Sequence, residues 1–123
     1  MIKNLFGTSL KKSALLVALP LAMAVTHVDA KEFVSIGGGG AGGTFNTMAS
    51  GVGSLLSKSV DGAKFTVEGS AGSVENIRRI GGGDLQMGIA FAGDSYLAYN
   101  GLESFSATGK VSNLRAVGFL YSA

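Results

Sequence analysis

The sequence predicts an α/β protein in which a mostly parallel sheet is flanked by helices. Three observations predict this fold class. Short strand-like runs alternate with amphipathic helical runs, glycine-rich corners separate the two, and the alternation is repeated three times before it ends on a strand. The resulting order, βαβαβαβ, is typical of a parallel sheet with helical crossovers.

Residues 1–30 stand apart from this alternation and have the three-part pattern of a secretory signal peptide. Three lysines precede the apolar run SALLVALPLAMAV, which is too short to span a bilayer. Val28 and Ala30 then supply small residues at the −3 and −1 positions of a cleavage site. We therefore predict a leader that is cut after Ala30, a periplasmic location, and a mature chain over residues 31–123. An uncleaved membrane anchor is the alternative, and the short apolar run disfavours it.

The composition of the mature chain excludes several kinds of chemistry. Three of the ten Lys and Arg residues and one of the eight acids lie in the leader, which leaves seven of each. This balance gives no reason to expect nucleic acid as a partner. The sequence has no Cys, and its single histidine, His27, lies in the leader. The mature chain therefore offers no disulfide, no His/Cys metal site and no His-based triad, and we expect no cofactor and no metal.

The first βα unit is organised around a glycine turn. EFVSIG, Glu32–Gly37, has the composition of a strand, and Gly37–Gly43 follows it directly. Apolar residues then recur at the spacing of one helical face, with Thr44 available as the N-cap. These apolar residues are Phe45, Met48, Ala49, Val52, Leu55 and Leu56. Asp61-Gly62 is typical of a turn that ends the unit.

The second βα unit repeats this arrangement. AKFTVEG, Ala63–Gly69, alternates as a strand, and Ser73 is placed to cap a short helix. The buried side of that helix would carry Val74, Ile77 and Ile80. Gly81–Gly83 would end the helix.

The third unit is less regular. LQMGIAF, Leu85–Phe91, has the composition of a strand, and Asp94 is placed to start a helix that Asn100-Gly101 closes. Tyr96 and Tyr99 on that helix are expected to pack at the edge of the core. LRAVGFLYSA, Leu114–Ala123, has the composition of a final strand, and because no polar tail follows it we expect the sequence to be the first part of a longer chain.

Three strand-to-helix corners are expected to meet at one edge of this sheet. They are Gly37–Thr44, Gly69–Ser73 and Phe91–Asp94. In open α/β sheets ligands bind outside the carboxyl ends of the strands. Helix starts at that edge present unpaired N–H groups and a partial positive charge. The corners therefore predict a site for a small anion.

Other interpretations of the glycine turn remain open at this point. Gly38, Gly40 and Gly43 match G-x-G-x-x-G, and Glu68 ends the second strand where a ribose-binding acid would lie, so a dinucleotide site is one alternative. A phosphate-binding P-loop fits less well, because Thr44-Phe45 stands where that motif needs Lys-Ser or Lys-Thr. A turn that binds nothing is the third alternative.

Four spaced motifs, taken in order, resemble a known family. They are IGGGGAGGTF, the S-x-G-S-x-x-N-I run at Ser70–Ile77, the G-D-x-x-x-G-I-A run at Gly83–Ala90, and Tyr99-Asn100-Gly101. Together they resemble the N-terminal third of the TAXI-type solute receptors of TRAP (tripartite ATP-independent periplasmic) transporters. The resemblance covers essentially all of residues 31–123.

This resemblance implies a non-enzymatic periplasmic receptor of the type II binding-protein fold, with two α/β lobes that close on a ligand. Residues 31–123 would be the incomplete first lobe. The ligand would be a small organic anion, a dicarboxylate or a glutamate-like compound, that is passed to TRAP membrane permease subunits. The ligand-binding residues that the resemblance implies are Gly43, Thr44, Phe45, Ser70, Ala71, Gly72, Ser73, Phe91, Ala92 and Gly93.

The sequence departs from the family pattern at two corners. Only Phe45 is aromatic where relatives commonly have two aromatics and a proline, and Phe91-Ala92-Gly93 replaces a corner that often reads Gln-Ser-Asp. A ligand would therefore depend more on backbone donors there, or be less polar on that side. The alternative functions are an exported α/β enzyme fragment that binds a nucleotide through the glycine turn, and a truncated remnant without function.

Overall fold

The computed structural model describes residues 31–122, which form a three-stranded parallel sheet flanked by helices. The elements, in chain order, are β1 (Glu32–Gly37), α1 (Thr44–Ser59), β2 (Ala63–Glu68), α2 (Ser73–Gly82), β3 (Met87–Gly88), α3 (Ala92–Asn100) and a single 3-10 turn (Glu103–Phe105). The predicted α/β fold class, with a parallel sheet flanked by helices, is confirmed, and it is consistent with an incomplete lobe. The predicted leader lies outside the described residues.

The strand order is β2-β1-β3, so the first strand lies in the middle of the sheet. β1 pairs with β2 along its whole length, from Glu32 opposite Ala63 to Gly37 opposite Glu68. It pairs with β3 only at its carboxyl end. The chain first adds β2 on one side of β1 and then β3 on the other side, so the strand order reverses between β1 and β3. In open α/β sheets such a reversal leaves a crevice outside the carboxyl ends of the two strands.

Helices α1 and α2 cover opposite faces of this sheet. A Cβ atom on Gly53 of α1 would lie 3.4 Å from Ile36, whereas Gly37, the next residue of β1, lies against Asn76 of α2. Successive strand residues point to opposite faces, so the two helices lie on different sides. One cluster, Ile77, Ala98 and Phe105, fills the space between α2, α3 and the 3-10 turn.

The prediction of a final strand over Leu114–Ala123 is wrong for the residues that the structure describes. Residues 114–122 form no strand, and Val117 and Phe119 are 83% and 80% exposed. A segment rich in strand-forming residues becomes a strand only where a neighbouring strand can pair with its backbone through hydrogen bonds. The third strand is also shorter than predicted, because the carbonyl of Ile89 accepts from the side chain of Asn76 and the N–H of Ser35 donates to the side chain of Gln86.

The predicted side-chain caps of the helices are wrong as well. The N-cap residues are Gly43 for α1, Gly72 for α2 and Phe91 for α3, and none of them makes a side-chain cap. Thr44 and Ser73 are instead the first helical residues, so their hydroxyls lie one position too late to cap. Helix α3 begins two residues before Asp94, and its aromatic residues Tyr96 and Tyr99 are more than half exposed.

Candidate functional site

The three corners surround one cavity at the carboxyl edge of the sheet. It is a shallow cavity of about 370 Å³ that is widely open to solvent. The lining residues are Gly39, Gly40, Gly43, Thr44, Phe45, Ala71, Gly72, Ser73, Phe91 and Tyr121. The cavity thus lies beside the reversal of strand order, where open α/β sheets bind their ligands.

Seven of the ten residues singled out in the sequence line this cavity, and three do not. Ser70 lies just behind it, where its hydroxyl accepts a hydrogen bond from the N–H of Gly72 at 3.1 Å. Ala92 and Gly93 are exposed residues in the first turn of α3. Tyr121 was missed, since no local pattern indicates that a residue so far along the chain returns to the first glycine turn.

The first corner, Gly37–Thr44, places the start of α1 at the cavity. Gly42 has a φ of +78°, a left-handed conformation that favours glycine, and the N–H of Gly43 donates to the carbonyl of Gly40 at 3.0 Å. The first intrahelical bond of α1 runs from the N–H of Thr47 to the carbonyl of Gly43. The amides of residues 44–46 therefore have no partner inside the helix, and the first turn of α1 contains no acid.

The second corner differs in its charge. Gly72 has a φ of +109°, and the carboxylate of Glu75 accepts from the N–H of Ala71 at 2.8 Å. A negative charge thus already lies at the start of α2, whereas α1 has none in its first turn. The positive end of a helix dipole attracts anions, so α1 provides the stronger anion site of the two.

Ser73 connects the second and third corners. Its side chain is almost fully buried, with 7% exposed, and its Oγ accepts from the N–H of Phe91 at 2.9 Å. A hydroxyl that accepts through a lone pair still has its proton to donate. Within residues 31–122 no acceptor takes that proton, so Ser73 has a donor left for a group in the cavity.

Phe45 and Phe91 form an aromatic pair between the first and third corners. Their ring centroids are 4.9 Å apart and the rings are tilted by 56°. Phe91 remains 48% exposed. Among the described residues that line the cavity none is charged, so the wall consists of backbone, hydroxyls and aromatic rings.

Behind the cavity, the fully buried side chain of Asn76 fixes two corners relative to each other. Its Nδ2 donates to the carbonyls of Gly37 at 3.1 Å, Gly38 at 3.0 Å and Ile89 at 2.8 Å. Its Oδ1 has no hydrogen-bond partner among the described residues. In the sequence Asn76 is one position of the S-x-G-S-x-x-N-I run, and nothing local indicates that it joins the ends of β1 and β3.

Glu68, the candidate ribose-binding acid, is paired with another residue. A guanidinium nitrogen of Arg79 lies 2.5 Å from its carboxylate. The hydroxyl of Ser35 and then the guanidinium of Arg79 lower the pKa of Glu68, and Glu68 in turn raises the pKa of Arg79. This pairing leaves the carboxylate less available to a ribose than the dinucleotide interpretation requires.

Two further findings concern the same range of the chain. No group of three or more His, Cys, Asp or Glu residues in residues 31–122 is placed to hold a metal ion. No helix in this range has the length and apolar character needed to cross a membrane.

Residues 36–123 match the model of the NMT1-like family. The chain therefore belongs to the NMT1-like family, which is of the periplasmic binding-protein type and is related to solute receptors. This is a family of binding proteins rather than of enzymes, and its members are typically extracytoplasmic. The coarser part of the resemblance is thus confirmed, and the TAXI-type identity stays a prediction.

Proposed function

We propose that this member of the NMT1-like family captures a small organic anion outside the cytoplasm and passes it to a TRAP-type membrane permease that an ion gradient drives. The observation that carries the proposal is the start of α1. Its first turn contains no acid, and it opens into a cavity that no charged side chain of residues 31–122 lines. Dicarboxylates and glutamate-like compounds are the ligand class that the resemblance implies.

In this proposal a carboxylate of the ligand lies at the first turn of α1. Its oxygens accept from the free amides of residues 44–46, from the hydroxyl of Thr44 and from the buried hydroxyl of Ser73. Hydrogen bonds from fixed donors to a charged acceptor are stronger than those between neutral groups. Backbone donors at a helix start are already oriented, so little conformational entropy is lost when the anion binds.

The remaining parts of the proposal concern the whole receptor. Residues 1–30 direct export and are removed after Ala30. Residues 31–123 supply the first lobe, whose cavity is open on one side, and a second lobe closes over the ligand. The residues assigned to this lobe's half of the site are the ten that the sequence predicts, with Ser70, Ala92 and Gly93 acting through the shape of their corners.

The nucleotide-binding alternative has less support. It needs a free acid at the end of β2, and Glu68 is paired there with Arg79. It also assigns an enzyme role to a chain whose family consists of binding proteins.

The test is a calorimetric binding screen of the purified complete receptor, with both lobes, against small mono- and dicarboxylates and, separately, against nucleotides. We expect a carboxylate to bind, and the Thr44→Ala variant to bind it about tenfold more weakly, since one hydrogen bond to a charged group is lost. Thr47→Ala is the matched control, because that hydroxyl already donates to the carbonyl of Gly43 one turn away. Nucleotide binding without carboxylate binding would overturn the proposal.

A further inference from the structure

The aromatic pair and the anion donors occupy adjacent walls of one cavity. Phe45 lies in the first turn of α1, next to Thr44, and its ring packs against that of Phe91 at a centroid distance of 4.9 Å. A group held by the amides of this turn would therefore have an aromatic surface beside it.

The position of Phe91 is fixed by its backbone. Its N–H donates to the buried hydroxyl of Ser73, and its carbonyl accepts from the N–H of Ser95 at 3.0 Å as α3 begins. The residue is nevertheless 48% exposed. A large apolar side chain that remains half exposed gains free energy when an apolar group of a ligand covers it.

The same cavity offers few partners for a second charge. No charged side chain among the described residues lines it, and its polar side chains are the hydroxyls of Thr44 at the start of α1, Ser73 at the start of α2, and Tyr121. Removing a second carboxylate from water costs free energy unless donors replace the lost water. The aromatic wall has no such donors.

We propose that this site selects a monocarboxylate that carries an aromatic or bulky apolar group. The carboxylate lies at the start of α1 with Thr44 and Ser73, and the apolar group covers Phe45 and Phe91. This inference rests on the proposed function, keeps its small organic anion, and replaces the dicarboxylates that the resemblance implies with a monocarboxylate.

The experiment compares two small acids, 3-phenylpropanoate and glutarate, by calorimetry with the purified complete receptor, which has both lobes. We expect 3-phenylpropanoate to bind at least about tenfold more tightly, because only it covers the aromatic pair. In the Phe91→Ser variant its affinity should fall about three- to tenfold, while that of glutarate stays unchanged. Serine retains the backbone N–H that donates to Ser73, so the corner itself is preserved.

Tyr96→Ser is the matched control, because Tyr96 is an exposed aromatic residue of α3 that does not line the cavity. It should leave both affinities unchanged, and circular dichroism should show native folding of both variants. Tighter binding of glutarate, or an equal loss for both acids in Phe91→Ser, would overturn this inference and leave the proposed function intact. Failure of every carboxylate to bind would overturn both.

Discussion

The side chain of Asn76 occupies the space that a Cβ atom on Gly37 would need. Such an atom would lie 2.7 Å from Cγ of Asn76 and 2.6 Å from Cδ1 of Leu85. The same amide donates to the carbonyl of Gly37 at 3.1 Å. The first glycine of the turn is therefore explained by packing behind the cavity rather than by the approach of a ligand.

Gly37→Ala should destabilise the protein by about 1–3 kcal/mol, because the methyl group would displace a buried amide and a buried leucine. Urea denaturation measures this loss. Gly40→Ala is the control in the same turn, since a Cβ atom there meets nothing within 4 Å. We expect that control to change stability by less than about 0.5 kcal/mol. Equal losses in the two variants would contradict the packing explanation.

Asn76→Ala should lower the free energy of unfolding by about 2–4 kcal/mol. The substitution removes the hydrogen bonds to three buried or half-buried carbonyls and leaves a void between β1 and α2. The measurement is again urea denaturation. Asn113→Ala is the matched control, because that exposed amide makes only a 3.4 Å bond to the carbonyl of Ile80. A loss no larger than that of the control would show that Asn76 does not hold the two strand ends together.

Asn76 also illustrates where prediction from the sequence succeeded and where it failed. The strands Glu32–Gly37 and Ala63–Glu68 were predicted almost to the residue, because their local sequence pattern indicates them. Gly101 was correctly predicted to close a helix, and it has the positive φ value that favours glycine there. The bonds of Asn76 span up to 39 residues. Nothing local in the sequence indicates such partners.

The candidate site could likewise be predicted from the sequence only in part. The three corners could be predicted to meet, because parallel strands bring their carboxyl ends to one edge. The contribution of Tyr121 could not, because residues 114–122 were predicted as a strand and their course depends on whether a neighbouring strand is available. Likewise, Ser73 was predicted from its position as a cap, whereas in the structure its hydroxyl accepts from another corner.

The ion pair between Glu68 and Arg79 should make a small contribution to stability that depends on pH. The folded protein lowers the pKa of Glu68 below its ordinary value of 4.5, so the contribution is present above that value and is lost as the pH falls through the lower, folded pKa. Glu68→Gln should therefore be less stable than the wild type at about pH 7. The two should converge once the pH has fallen below the folded pKa of Glu68, as followed by thermal unfolding.

Glu32→Gln is the control for this pH dependence, because Glu32 is exposed and forms no ion pair within residues 31–122. Its stability should differ little from that of the wild type at either pH. The difference caused by Glu68→Gln should also shrink at high salt, since exposed ion pairs are screened. A difference that is constant across the pH range would show that Glu68 acts through packing rather than through its charge.

Ser73→Ala should impair both stability and ligand binding, because its hydroxyl accepts from the N–H of Phe91 and, in the proposed function, donates to the ligand carboxylate. Loss of the bond to the N–H of Phe91 should cost about 1 kcal/mol in unfolding free energy, and loss of the donor to a carboxylate should weaken binding about tenfold. Ser54→Ala, at an exposed position of α1 outside the cavity, is the matched control and should change neither quantity. If Ser73→Ala lowers stability and leaves carboxylate affinity unchanged, the hydroxyl only joins two corners, and the anion would be held by the start of α1 without it.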